Sequence, residues 1–391
     1  MRDAVRGTLG AMQNTLSDDA LAAWLRLSLQ PGIGAIHAQR RLHAFDDPRA
    51  LYQASYATLR AILSAPLATQ LVQPLSPDTA QYIERALRWS QEPGHALITP
   101  AHPLYPERLR QMPDAPLVLY ARGGLRRLAN EALALVGARN ATVDGLDHAR
   151  AFARYLAQQE FAIVSGLAHG IDAAAHRGAL EAGPEHGGTI AVLGTGADII
   201  YPTSHRTLAE AILSADGLIL SEFELGRPAL AAHFPKRNRI VAGLSLGVVV
   251  VEAALKSGSL ITARLAVEMG REVFAIPGSI HSPLARGPHA LIKQGAKLVE
   301  SGEDILAELQ PRADRTHNVA EGLACTILQP TPNSPIWSAI GYDPITEDQL
   351  QRRTGLAPAQ LQVELFTLEL EGHIERRGHG QFVRTPARSV S

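Results

Sequence analysis

The sequence predicts an α/β protein. Its centre is an extended Rossmann-like, doubly wound, mostly parallel sheet. An N-terminal helical (helix-hairpin-helix/SAM-like) domain precedes the sheet, and a C-terminal winged-helix domain follows it. Three observations predict this. Six short apolar runs, at 132–137, 161–166, 189–194, 217–222, 246–252 and 272–278, alternate with helical stretches. Strands buried on both faces read as such runs, and alternation with helices makes the sheet parallel. Before the runs lies a helical stripe interrupted by Pro31-Gly32-Ile33-Gly34, and after them come three helices and a hairpin.

The elements follow in order. Residues 1–19 are expected to be a flexible N-terminus. Residues 20–94 form the helical domain, opened by the stripe Leu21, Trp24, Leu25 and Leu27. The PGIG turn suits a helix-hairpin-helix, whose glycines permit a tight turn and whose amides can meet a phosphate; a plain turn between packed helices is the alternative. The sheet domain is 95–310. Its first part, 95–130, reads as a proline-punctuated lead-in, and KLVES at 297–301 adds a last strand. A polar, proline-rich linker covers 311–333. In the winged-helix domain, 334–386, IWSAIGY, TEDQLQRRTG and APAQLQVELFTLELEG are helices, and HIERR and QFVR pair as a hairpin.

With 391 residues, two or three domains are expected; 46% hydrophobic and 19% charged residues describe an ordinary globular chain. One cysteine, Cys325, excludes a disulfide framework and a thiolate metal cage, and fits a cytoplasmic location. The N-terminus lacks the apolar core of a signal peptide, and no apolar run approaches membrane-spanning length. No partner in a membrane is expected. Formal net charge is only −1, yet the four lysines all fall between 236 and 297. HFPKRNRIVAGLS, 233–245, sets Lys236, Arg237 and Arg239 between an aromatic–proline pair and an apolar run.

In an open α/β sheet, ligands bind at the carboxyl ends of the strands. Those ends carry Gly137-Ala138-Arg139, Ser165-Gly166-Leu167-Ala168-His169-Gly170, Gly194-Thr195-Gly196, the basic segment just quoted, Lys256-Ser257-Gly258-Ser259 and Pro277-Gly278-Ser279. Glycine lets backbone amides approach a phosphate, and a helix N-terminus adds partial positive charge. Ser257-Gly258-Ser259 and Ser165-Gly166 are therefore anion-site candidates. Together with Arg139, Lys236, Arg237, Arg239 and Lys256 they describe an electropositive crest suited to a polyanion. Phe234 offers a base-stacking face; alternatively it plugs the core. Arg237 and Arg239 have a bland alternative in salt bridges to Glu222, Glu224 or Glu252, and Asn238 one as a helix cap.

Other chemistries lack their signatures. There is no G-x-x-x-x-G-K-[ST], no tight G-x-G-x-x-G turn with an acidic ribose partner, no G-x-S-x-G and no H-E-x-x-H. No catalytic residue, metal or cofactor is expected. His176, one helical turn past Asp172, reads as a satisfied structural histidine.

The motifs VGARNAT, SGLAHGIDAAAHRGAL, AVLGTGADIIYPTSH, SEFELGRPALAAHFPKRNRIVAGLS, VVVVEAALKSGSLITARLA, EVFAIPGSI and GPHALIKQGAKLV stand in order along the chain. They resemble the DNA-processing protein A family (DprA/Smf), closely over about 20–310 and more loosely over 335–385. The resemblance implies a Rossmann-like core that binds and protects single-stranded DNA without enzymatic turnover. It further implies loading of the RecA recombinase during natural transformation, and a homodimer. Carried over residue by residue, the contacts to DNA fall on Arg139, Lys236, Arg237 and Arg239, then on Lys256 and 257–259. His289, Leu291, Ile292 and Leu298 become dimer-surface candidates. Ala138 stands where the family often has Ser or Thr, and His289 where it often has Asn.

The rival enzyme reading is a nucleotide-binding phosphoribohydrolase on a related sheet. That class needs P-G-G-x-G-T-x-x-E, whereas the chain reads Glu252-Ala253-Ala254-Leu255-Lys256-Ser257-Gly258 without a double glycine. A pure scaffold touching only proteins is a third reading. The presumed recognition helix of the winged helix, 358–371, holds Glu364, Glu369 and Glu371 and no cation. An acidic helix suits a protein contact or a regulatory role better than a DNA groove.

Overall fold

The computed structural model describes residues 16–31, 45, 47–309, 334–340, 344–377 and 380–385. The PGIG turn beyond Pro31, most of the expected 1–19 terminus and the 311–333 linker lie outside them. The chain divides into two compact units between Leu309 and Gln310.

The first unit holds a nine-stranded sheet: β1 His95–Ile98, β2 Leu119–Gly123, β3 Ala132–Val136, β4 Ala162–Ser165, β5 Thr189–Val192, β6 Leu218–Ser221, β7 Gly247–Val250, β8 Glu272–Ala275 and β9 Lys297–Leu298. Their spatial order is β1-β2-β6-β5-β4-β3-β7-β8-β9. The chain enters mid-sheet at β3 and steps outward through β4, β5 and β6. It then returns to the other side of β3 with β7, β8 and β9. All these pairings are parallel. The reversal between β3 and β7 is the topological switch point, where doubly wound sheets open a crevice beyond their carboxyl ends.

Period two along each strand fills both faces. Ala134, Val136, Val248 and Val250 face one core, shared with the His233–Leu244 and Gly258–Glu268 helices. Leu133, Leu135, Val249 and Phe274 face another, packed by the Val143–Gln158 and Ile171–Glu181 helices.

All six apolar runs became strands, and KLVES supplied the last, β9. The reading of 95–130 needs correction, because this lead-in contains β1 and β2, which extend the sheet antiparallel from β6. HALI and a strand ending in Arg122-Gly123 do not stand out in a stretch punctuated by prolines and not yet alternating with long helices. The N-terminal helices begin at serine or aspartate caps, Ser17, Asp47, Ser55 and Ser76 among them. Leu21, Trp24, Leu25 and Leu27 are buried, in one cluster with Leu97, Val118 and Tyr120 of the β1–β2 edge.

The second unit packs helices Pro335–Ala339, Glu347–Thr354 and Pro358–Leu370 on a small sheet, β10 Ile345–Thr346, β11 Ile374–Arg377 and β12 Gln381–Arg384, ordered β10-β12-β11. Three helices and the hairpin match expectation; the short β10 is the addition.

Candidate functional site

A crevice of about 660 Å³ opens at the switch point. Gly137 and Arg139 beyond β3, Phe234, Arg237 and Asn238 of the His233–Leu244 helix, and Ser257, Gly258 and Ser259 beyond β7 line it. Its geometry follows from local chemistry. Ser257 caps the Gly258–Glu268 helix, its Oγ accepting from the Ser259 N–H at 3.3 Å. A Cβ on Gly258 would meet open space. Asn238 Nδ2 donates to the Gly258 carbonyl at 3.3 Å, tying the basic helix to this loop. The Arg139 guanidinium lies 5.6 Å from the centroid of the half-buried Phe234 ring. Tyr201, 48% exposed, lies 5.7 Å from the same ring. Tyr201, Phe234 and Arg139 thus form a row of two aromatic faces and a cation.

The rest of the expected crest is rearranged. The basic segment is itself a helix, His233–Leu244, so its cations point in different directions. Arg237 is 5% exposed and lies in the crevice floor, donating to the Val192 carbonyl at 2.5 Å. Burial lowers its pKa, opposed by the nearby Asp172 carboxylate and reinforced by Arg139. Arg239 points away from the crevice. It pairs with Asp114 at 3.1 Å and with Glu222, the bland alternative that Glu222 offered. Lys236 is exposed beside Phe223, 5.8 Å from its ring, and Lys256 is exposed; neither lines the crevice.

The amides of the Ser165-Gly166 loop are directed at a carboxylate of the chain itself. Leu167 adopts φ +57° and turns the loop round the Asp172 carboxylate. Asp172 Oδ2 accepts from the Gly166 N–H at 3.1 Å and the Ala168 N–H at 3.4 Å. The chain's own anion occupies this nest of amides. Burial pushes the Asp172 carboxyl up, against the pull of Arg237 and these amides. Ser165 is fully buried and donates to the Leu135 carbonyl at 2.6 Å. A Cβ on Gly166 would collide with the Arg237 guanidinium, and one on Gly137 would stand 2.6 Å from Ile171. Ser165 and Gly166 are packing residues here, whereas Gly137 both packs against Ile171 and lines the crevice.

Of the groups with catalytic chemistry, Glu252 is committed through both oxygens, whereas His176 is satisfied only at Nδ1 and its buried Nε2 has no partner among the described residues. Both Glu252 oxygens accept from Thr142, from its hydroxyl at 2.6 Å and its N–H at 2.9 Å. His176 is fully buried with Nδ1 2.7 Å from Thr189 Oγ1. The Thr189 hydroxyl gives its proton to the Ile163 carbonyl at 2.7 Å, so His176 Nδ1–H is the donor to Thr189. Burial drives its pKa down to about 3, with Arg237, His205 and Arg177 adding repulsion.

Tyr201 was missed. Its signal was available: an aromatic before a proline, in the loop beyond β5. Among the dimer candidates, His289 Nε2 accepts from the Gly278 N–H at 3.4 Å, Leu291 and Ile292 are half-buried, and Leu298 is 43% exposed on the edge strand β9.

Fold and crevice together define a doubly wound α/β protein with an aromatic- and cation-lined crevice at its switch point. The chain belongs to the family described as DNA recombination-mediator protein A, whose pattern matches residues 96–310. Residues 329–380 match the DprA winged helix domain. It is 42% identical over 298 residues to Protein Smf of Escherichia coli (strain K12), covering 75% of this chain and 78% of that one. It is 49% identical over 206 residues to DNA processing protein DprA of Streptococcus pneumoniae, 53% of this chain and 71% of that one. The solved structure of DNA processing protein A from Streptococcus pneumoniae superposes with a TM-score of 0.63 at 36% identity, over 76% of this chain and 100% of that one.

Proposed function

We propose that this protein binds single-stranded DNA without regard to sequence, shields it, and loads the RecA recombinase onto it in transformation and recombination. The observation that carries the binding reading is the Tyr201–Phe234–Arg139 row beside the Ser257–Ser259 helix start. Two aromatic faces accept bases of any identity, and the guanidinium and helix start accept phosphates. Phosphate contacts position a strand but do not read it, so binding is sequence-independent. Exposed Lys236 and Lys256 extend the positive field beyond the crevice.

Membership of the recombination-mediator family supports a binding role without turnover. The capture of Glu252 by Thr142 weighs against the phosphoribohydrolase reading, which needs a free carboxylate beside the glycine loop. We read the protein as cytoplasmic and as a homodimer through the β9 edge, with His289, Leu291, Ile292 and Leu298 on its surface. Among the described residues no helix is long and apolar enough to cross a membrane.

The test is anisotropy of labelled oligo-dT. Each phosphate neutralised contributes about −0.7 to the slope of log affinity against log salt. Three to five contacts per protomer predict a slope of about −2 to −3.5. Release of free base from a nucleoside monophosphate would instead favour the hydrolase. Acceleration of RecA filament nucleation on the bound strand tests loading separately.

A further inference from the structure

The Pro358–Leu370 helix of the second unit is apolar on two opposite faces. Leu361, Leu365 and Leu368 lie in the core of the unit. Val363, Phe366 and Leu370 recur at intervals of three and four, so they share one stripe of the opposite face. That stripe is exposed: Val363 67%, Phe366 59% and Leu370 72%. A helix apolar all round is normally covered on every side. Three large side chains contiguous on one exposed stripe mark a contact surface rather than scattered surface hydrophobes.

Both flanks of the stripe are acidic. By helical position Glu364 and Glu371 lie on one side and Glu369 on the other. Glu364 accepts from Ser334 Oγ at 2.7 Å. Glu369 has Arg376 at 3.7 Å, and Glu371 has His373 at 3.6 Å. Two such helices laid face to face set carboxylates against carboxylates, whichever way they run. A second copy of the helix is therefore a poor occupant, and a duplex groove is poorer still. The complementary occupant has an apolar stripe between basic flanks.

We propose that this face is the docking site for a basic amphipathic helix of a partner protein, with Phe366 and Leu370 as its apolar anchors and Glu369 and Glu371 selecting Lys or Arg. Helix-on-helix recognition of this kind reads anchors at the same intervals. Buried aromatic anchors carry most of the energy of such contacts.

The experiment uses the full chain and two synthetic amphipathic helices that share one Leu/Ile face, one flanked by Lys and the other by Glu. Labelled peptides are titrated by anisotropy against the wild type, Phe366→Ser, Leu370→Ser and the double variant Glu369→Lys/Glu371→Lys. Thermal unfolding of each variant establishes that the exposed substitutions leave it folded. The proposal expects the Lys-flanked peptide to bind at least about tenfold more tightly than the Glu-flanked one. Either serine variant should weaken it by about tenfold, and the lysine pair should reverse the preference between peptides. Equal binding of both peptides, or affinity indifferent to Phe366 and Leu370, overturns it. So does Phe366-dependent self-association in sedimentation, or Phe366-dependent binding of a short duplex. A benzoylphenylalanine at Val363 in the living cell adds an independent readout. Adducts to basic helical segments of another protein support the proposal; adducts to this chain's own peptides overturn it.

Discussion

The Arg139 guanidinium lies over the face of Phe234, 5.6 Å from the ring centroid, and so joins the end of β3 to the helix that follows β6. These residues stand 95 positions apart in the chain and have different functions in the proposed complex. One meets phosphate and the other meets a base. At an exposed site such a pair is itself worth only about 0.5–1 kcal/mol. Its value lies in placing a cation and a stacking face within one nucleotide of each other.

The two residues are therefore separable by salt. Phe234→Ala should cost about 1–3 kcal/mol of affinity for oligo-dT, with the salt slope unchanged. Arg139→Ala should weaken binding and reduce the slope by about 0.7. Tyr201→Ala should behave as Phe234→Ala does. A salt series on the three variants checks this, and an altered slope for either aromatic variant would count against the division.

Arg239 should govern stability instead of binding. It is buried between Asp114 and Glu222, on the side away from the crevice. Removing one partner of a buried ionic cluster costs about 3–5 kcal/mol, and a third-exposed Asp114 places this case at the lower end. Arg239→Ala should thus lower the melting temperature by several degrees, while protein still folded at low temperature binds oligo-dT as before. Calorimetry alongside anisotropy separates the two effects.

The two glycines of the site should respond in opposite ways. Gly166→Ala forces a Cβ into the Arg237 guanidinium, so it should destabilise the fold. Gly258→Ala points a Cβ into open space at the first turn of its helix. Its stability should stay within about 0.5 kcal/mol of the wild type. Any loss of affinity in that variant then reports the crowding of a phosphate approach. Urea unfolding of both proteins is the check.

His176 should make the fold acid-sensitive. In the folded chain it takes a proton only near pH 3, whereas in the unfolded chain it does so near its ordinary value of 6.5. Between those values the unfolded state holds more protons, so stability falls as pH falls through this window. Asp172 works the other way, because its raised carboxyl binds a proton more readily when folded; that offset acts above the ordinary carboxylate value of 3.8. Melting temperatures at pH 7 and pH 5 should differ more in the wild type than in His176→Gln. An equal drop in both would remove His176 from the account.

The six strands β3 to β8 were legible because burial on both faces writes itself into composition. The β1–β2 edge was not, since it lies in a stretch punctuated by prolines and not yet alternating with long helices. The location of the candidate crevice was legible from glycine loops at strand ends, but the directions of its side chains were not. Whether Arg237 or Arg239 faces a ligand depends on which side of a helix meets the sheet. Glu222 was named from the sequence as a partner, but Asp172 and Asp114, which help decide it, are distant in sequence. Likewise the Ser165-Gly166 loop has the residues of an anion site, and only the fold reveals that Asp172 fills it.

The most direct measurement is anisotropy of labelled oligo-dT with wild type and Arg139→Glu over a salt series. Wild-type binding should be salt-dependent with a slope of about −2 to −3.5, and the charge reversal should weaken it strongly in a protein of unchanged melting temperature. Wild-type binding that Arg139→Glu leaves intact, or no binding at low salt, would contradict single-strand binding through this crevice.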